Sequence, residues 1–177
     1  MCGICGMIGE TKEKEQVLAR MMKVMEHRGP DGGDTYASDG ALLGFRRLSI
    51  IDLDTGMQPM LNEDGTMALV FNGEIYNYQA LRRVLKQKGH EFRNSSDSEV
   101  LLHGYEEYGS EFVKKLRGMY AFVIWDKNRK KLFGARDIFG IKPFYYYQHN
   151  GEFMFGSEIK SFLEHPGFEK AVNIKRL

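Results

Sequence analysis

Cys2 is the residue with the clearest chemical prospects, because the sequence opens Met1-Cys2-Gly3-Ile4-Cys5. Removal of Met1 would make Cys2 the first residue and free its α-amine. Such an amine has a pKa of about 7.7–8.0, so it accepts a proton near neutral pH. One residue would then carry both a sulfur nucleophile and its base, the N-terminal-nucleophile arrangement. Gly3 would leave space and backbone freedom beside that sulfur. Other chemistries share these residues. Cys2-x-x-Cys5 has the spacing of half a zinc site or of a redox pair, and a cysteine near the N-terminus is often only a small buried hydrophobe. Zinc would need a second ligand pair, yet His27, His90, His103, His149 and His165 show no H-x3–5-H spacing. A thioredoxin-like pair belongs at a helix N-terminus after a strand, whereas this pair begins the sequence.

Further residues suited to chemistry lie at Arg46-Arg47, Asn72-Gly73-Glu74 and Ser96-Asp97-Ser98-Glu99. The elements that must hold them follow from hydrophobic spacing. Residues 2–8 form a short apolar strand broken by Gly3 and Gly6. Val17, Leu18, Met21, Met22 and Met25 recur at three- and four-residue steps, which predicts one helix face with the methionines as core filler. Gly29-Pro30-Asp31-Gly32-Gly33 stops that helix and turns the chain. Residues 41–51 and 67–72 are expected buried strands. Residues 78–88 are an amphipathic helix closed by Gly89. Ser96-x-x-Glu99 matches a capping box opening a helix through Tyr108. Four short strands follow at 119–125, 132–135, 144–147 and 153–155, with Asn150-Gly151 as a hairpin signal. Helices and strands thus fall into separate blocks without βαβ alternation, which predicts an α+β fold of mostly antiparallel sheets.

Composition narrows the function classes. With 25 Lys+Arg against 24 Asp+Glu the net charge is +1, which argues against nucleic acid or an anionic membrane as the main partner. The only basic run, Lys127-Asn128-Arg129-Lys130-Lys131, reads as a solvated hairpin tip. Tyr145, Tyr146 and Tyr147 lack the basic stripe of a nucleic-acid platform. No apolar run approaches the roughly 18 residues of a membrane span. The N-terminus lacks the features of a signal peptide, and 2 cysteines make no disulfide framework, so a cytoplasmic protein is expected. At 177 residues one domain is expected, and 20 glycines exceed the roughly 7% average.

Several segments stand in order along the chain. They are Met1-Cys2-Gly3-Ile4-Cys5-Gly6, His27-Arg28-Gly29-Pro30-Asp31-Gly32, Arg46-Arg47-Leu48-Ser49-Ile50-Ile51-Asp52 and Asn72-Gly73-Glu74-Ile75-Tyr76-Asn77. Ser96-Asp97-Ser98-Glu99, Gly118-Met119-Tyr120-Ala121-Phe122 and Arg136-Asp137-Ile138-Phe139-Gly140-Ile141-Lys142-Pro143 follow. Together they resemble the glutaminase domain of class II amidotransferases, nearest to the glutamine-dependent asparagine synthetases of B type. The resemblance implies a four-layer αββα sandwich, the N-terminal-nucleophile hydrolase fold, over residues 1–165. Residues 166–177 would begin a link to an ATP-dependent synthetase domain.

The resemblance also implies roles. Cys2 is the nucleophile, its α-amine the base, and a thioester the intermediate. The Asn72 side chain and Gly73 N–H form the oxyanion hole, where a glycine leaves room for substrate. Arg47 holds the α-carboxylate of L-glutamine, a fit for a planar two-donor fork, and Asp97 holds its α-ammonium. Without the resemblance, Asn72-Gly73 reads as a turn and Asp97 as a carboxylate favoured near a helix N-terminus. Leu48, Ile50, Ile51 and Glu74 complete the implied pocket. Arg46 is expected to face away, as strand neighbours do, and Cys5 to pack. Phe45 stands where many relatives carry His. No metal or cofactor is expected in this domain. ATP and Mg2+ belong to the synthetase domain, whose Ser-Gly-Gly-x-Asp-Ser loop does not occur here. Expected partners are L-glutamine and that synthetase domain, with homodimerisation an option for the full-length enzyme. Two readings stay open beside glutaminase: a non-catalytic glutamine-binding or regulatory domain if Met1 is retained, and a zinc or nucleic-acid module.

Overall fold

The computed structural model describes residues 1–9, 12–48, 57–171 and 174. Its strands form two antiparallel sheets. In the first, the order is β2 (Gly32–Ala37), β3 (Leu42–Arg47), β1 (Gly3–Ile8), β9 (Glu152–Gly156) and β8 (Tyr145–His149). In the second it is β4 (Met60–Leu61), β5 (Met67–Ile75), β6 (Gly118–Asp126) and β7 (Lys131–Arg136). Helix α1 (Lys14–Val24) covers the outer face of the first sheet, while α2 (Tyr78–Gln87) and α3 (Glu99–Tyr108) cover the second. The expected αββα sandwich is what the chain builds.

The layering follows from the two-residue period of the strands. On β1 and β3, Ile4, Leu43 and Phe45 point between the sheets, where they meet Ala68, Val70, Ala121, Val123 and Trp125 of the second. The alternate residues Cys5, Met7 and Leu42 point outward onto Val17, Leu18, Met21, Met22 and Met25, the stripe expected from spacing. On β5 and β6, Leu69, Phe71, Phe122 and Ile124 turn outward to Leu85 of α2 and to Val100, Leu101 and Tyr105 of α3. Full burial of side chains such as Ile4, Phe45 and Phe155 contributes about 1.5–3 kcal/mol each.

The structure adds to or corrects the local expectations at four places. Gly32–Ala37, expected as the end of a turn, pairs with β3 as strand β2. Short strand β4 pairs Met60 with Leu69 and Leu61 with Ala68, and it carried no sequence signal. The capping box at Ser96 does not form. Helix α3 begins at Glu99, whose carboxylate accepts the N–H groups of Arg93 (2.8 Å) and Asn94 (3.1 Å), so it secures the preceding loop instead. Of the expected strand 41–51, Leu42–Arg47 forms β3, and residues 49–51 lie outside the described residues. The Asn150-Gly151 hairpin forms as expected, with φ of 49° and 81° at its centre. Among the described residues no helix is long and apolar enough to cross a membrane.

Candidate functional site

Cys2 sits at the open end of the inter-sheet layer. It packs on the same cluster as Ile4, so its side chain lies on the inner face of the first sheet. The β1–β3 ladder pairs Gly3 with Arg46. One step further along, Cys2 stands opposite Arg47, and opposed residues share a face. Arg46 therefore turns outward, where it pairs with Glu26 at 3.0 Å, as strand alternation predicted. Arg47 is half-buried, and its Nη1 contacts Met57 Sδ at 3.3 Å. The Cys2 thiol lies 3.8 Å from the Leu48 carbonyl oxygen. Leu48 is thus at the site, while Ile50 and Ile51 lie outside the described residues.

Asn72 and Gly73 approach from the facing sheet, since β1 and β3 both pack on β5. Asn72 continues the row Ala68, Val70 on the inner face. It is only 3% exposed, and its Nδ2 is buried with no hydrogen-bond partner among the described residues. A buried amide N–H2 left unpaired costs about 1–3 kcal/mol, so its persistence calls for a reason. Gly73 supplies a second donor. It pairs with Tyr120, whose N–H and C=O both turn away from β5, to Asp137 Oδ2 at 3.2 Å and Asp137 N–H at 2.8 Å. The Gly73 N–H therefore points to the opposite edge of β5. On that edge Phe71 N–H donates to Gln58 Oε1 (2.5 Å) and Ile75 N–H to Asp97 Oδ2 (2.7 Å). Gly73 N–H lies between them with no acceptor among the described residues.

The reason for glycine at 73 differs from the one expected. A Cβ there would lie 2.3 Å from the Met119 carbonyl oxygen and 2.7 Å from Tyr120 Cα, so close approach of the β6 backbone demands it. At Gly3 a Cβ would meet Arg46 Cβ at an ordinary 3.5 Å, so lack of space does not require glycine beside Cys2.

Asp97 precedes α3 and is tied to β5 by the Ile75 bond. Burial pushes its carboxyl above the usual aspartate range; the Ile75 N–H works the other way, and the nearby Glu74 carboxylate pushes it further up. Glu74 itself is exposed on the inner-face row of β5. Two carboxylates close enough to repel form a natural seat for a cation. Cys5 is fully buried on the α1 side, where desolvation pushes its thiol far up, so it is inert packing as expected.

Several positioning residues had no role assigned from sequence. Arg28 Nε donates to the Cys2 carbonyl at 3.1 Å, and Arg28 Nη1 is held by Glu158 at 3.2 Å. Gly29 lets that segment close on β3, since a Cβ would lie 2.5 Å from the Arg47 nitrogen. Ser157 Oγ accepts the Ile4 N–H at 3.0 Å, tying down β1 two residues beyond Cys2. The signal for Arg28 and Gly29 was present in the His27-Arg28-Gly29-Pro30 segment; that for Ser157 was not.

These positions can be compared with known proteins. A family model described as a glutamine amidotransferase domain matches residues 1–177. Asparagine synthetase [glutamine-hydrolyzing] 1 of Bacillus subtilis is 47% identical over 92% of this chain and 27% of its own length. Asparagine synthetase B [glutamine-hydrolyzing] of Escherichia coli is 41% identical over 91% of this chain and 30% of its own. The chain thus spans under a third of the length of these relatives. Among solved structures, one titled the allosteric regulatory enzyme of purine biosynthesis aligns with a TM-score of 0.80 at 24% identity, covering 92% of this chain and 43% of that one. The glutamine phosphoribosylpyrophosphate amidotransferase of B. subtilis aligns with a TM-score of 0.73 at the same 24% identity, over 91% of this chain and 43% of that one. These two share the fold. The chain belongs to the glutamine amidotransferase domain family.

Proposed function

We propose that this chain hydrolyses L-glutamine to L-glutamate and ammonia through a thioester on Cys2. The observation that carries the reading is the pair of unpartnered donors, Asn72 Nδ2 and Gly73 N–H, opposite Cys2 across the inter-sheet layer. In the proposed sequence the Cys2 sulfur attacks the side-chain carbonyl of glutamine while the Cys2 α-amine takes the thiol proton. The carbonyl oxygen gains negative charge, which the two donors stabilise. The proton returns to the departing nitrogen, ammonia leaves, and water then cleaves the thioester with the amine again as base. Arg47 faces the α-carboxylate, and Asp97 with Glu74 faces the α-ammonium. No metal or cofactor takes part in these steps.

The names of the relatives support the wider setting. Ammonia made here would pass to an ATP- and Mg2+-using synthetase domain that converts aspartate to asparagine. Met1 decides whether the chemistry runs. Its side chain is 53% exposed and touches the Lys142 Nζ through sulfur at 3.5 Å, so little holds it. With Met1 in place the Cys2 nitrogen is an amide and the same pocket binds glutamine without a base. The test is glutamate and ammonia released in equal amounts by protein whose intact mass shows Met1 lost. Absence of both products from that processed protein would sink the proposal.

Two binding predictions follow from the charges. Arg47→Ala should raise KM for glutamine at least tenfold, about 1.4 kcal/mol, with a smaller change in kcat. An unchanged KM would remove Arg47 from the substrate's carboxylate. For Asp97 the sign comes from its raised pKa. The ionised form holds the ammonium, and that form is lost, as pH falls, at values above the ordinary aspartate range near 3.8. Glutamine affinity should therefore weaken with acidification sooner than an exposed aspartate would allow. Asp97→Asn should leave KM high and flat across that window. A wild-type KM independent of pH there would contradict the assignment.

A further inference from the structure

A second cluster of ligating side chains lies on the outer side of the second sheet, away from Cys2, where α2, α3 and the β4–β5 turn meet. It includes His90, His103, Glu106 and Glu63, ringed by Glu99 and Glu107. Folding creates it from residues whose spacing resembles no metal motif. His90 is fixed where α2 ends: Gly89 N–H donates to Lys86 O (3.1 Å) and His90 N–H to Leu85 O (3.2 Å), a Schellman closure with Gly89 at φ 99°. His103 and Glu106 are neighbours three apart on α3, and His103 is 1% exposed.

The hydrogen bonds of this cluster do not close on themselves. His90 Nε2 lies 3.3 Å from Glu107 Oε2 and His90 Nδ1 lies 3.6 Å from Glu106 Oε2, so a neutral ring that donates to Glu107 presents its Nδ1 lone pair on the Glu106 side. The same Glu106 oxygen is 2.9 Å from His103 Nδ1, and Glu63 Oε1 is 3.6 Å from that nitrogen. His103 Nε2 is buried without a hydrogen bond, its nearest carboxylate oxygen being Glu99 Oε1 at 3.8 Å. Four carboxylates thus surround two imidazoles. The Lys88 ammonium beside the cluster is engaged by Glu107 at 2.5 Å. Glu106 is further fixed by Asn62 Nδ2, which donates to its other oxygen at 2.6 Å.

We propose that His90 Nδ1, His103 Nδ1 and Glu106 form a structural site for a first-row divalent cation of the zinc type. The separations of Glu106 Oε2 from His103 Nδ1 (2.9 Å) and from His90 Nδ1 (3.6 Å) bracket the edge of about 3.3 Å expected between tetrahedral ligands at bond lengths of about 2.0–2.1 Å. Binding at Nδ1 leaves both Nε2 protons in place; Glu107 accepts that of His90, as the outer carboxylate that ligating histidines usually have, and Glu99 lies 3.8 Å from His103 Nε2. The proton on His103 Nδ1 is released to solvent when the cation binds. The ion would pin the end of α2 to α3, the helix whose N-terminal loop carries Asp97. It takes no part in hydrolysis.

The test uses the whole chain with Cys2 alkylated, titrated with Co2+ and with Zn2+. The expected result is one equivalent bound, visible-region Co2+ bands of a tetrahedral N/O site without sulfur charge transfer, and a higher Tm with Zn2+. His90→Gln, at the more open edge, and Glu106→Gln should each weaken binding at least about tenfold, and Glu107→Gln by a similar factor through its histidine. The proposal fails if the wild-type chain binds neither ion, or if His90→Gln and Glu106→Gln bind as tightly as wild type. A Tm that responds to pH but not to Zn2+ would equally overturn it, since protons alone would then occupy the cluster.

Discussion

Cys2→Ala in the processed chain is expected to lower the rate of glutamine hydrolysis by at least about a thousandfold while glutamine still binds. The magnitude follows from the loss of the site's thiol, since the other cysteine, Cys5, points to the α1 side and is held protonated by burial. The alanine variant keeps the α-amine, Asn72, Gly73, Arg47 and Asp97, so ground-state contacts survive and the change falls on kcat. Stability should barely move. Cys2 is half-buried at the rim of the inter-sheet layer, and removing its sulfur costs at most about 1 kcal/mol, a shift of about 2–4 °C in Tm for a domain of this size. Steady-state ammonia release, with glutamine binding measured by calorimetry on the same sample, separates the two effects. Hydrolysis at the wild-type rate would mean that water attacks directly and that Cys2 is a packing residue. A collapse of Tm together with activity would mean that Cys2 serves the fold.

Much of this site was legible because the chain marks it with residue types that are costly to place. A cysteine beside the initiating methionine, an Asn-Gly pair after a strand and an Asp ahead of a helix each had a structural explanation alone. Their order carried the family resemblance, and the fold brings Cys2 and Arg47 onto one ladder and Asn72 and Gly73 onto the strand facing it. The layered architecture was legible for the same physical reason: Leu69, Phe71 and Val70, Ala68 alternate between two cores, and the α1 stripe needs only one. What the sequence hid was relational. Strand β2 is mostly glycine and polar residues, and exists because β3 offers it a ladder. Ser96 looked like a cap, but Glu99 found two N–H groups in the loop before it. Arg28 acts on Cys2 from another element, and His90 meets His103 only when α2 has ended beside α3. Such pairings depend on where a turn sends the chain, which no local window contains.

Asn72 offers the second large effect and the sharper contrast between function and structure. Asn72→Ala is expected to reduce kcat by about 10²–10³-fold with little change in KM, the usual consequence of deleting one oxyanion donor. An ordinary buried asparagine would lose stability on such truncation, because its amide is paired. Here Nδ2 is buried and unpaired in the folded chain, so the amide is a standing cost of about 1–3 kcal/mol that a charge developing on the substrate would offset. Asn72→Leu makes the point more cleanly, since it keeps the branching at Cγ, leaves no cavity and removes the orphan donor. Its Tm should equal or exceed that of wild type while its kcat falls as far as that of Asn72→Ala. Thermal unfolding and steady-state kinetics on the two variants decide the matter together. A leucine variant that loses both stability and activity would make Asn72 a structural residue and leave Gly73 N–H as the sole donor. A leucine variant that keeps full activity would remove the side-chain amide from the reaction altogether. The expected pattern, a more stable and nearly inactive protein, is the signature of a group held at the fold's expense for a charge that exists only during the reaction.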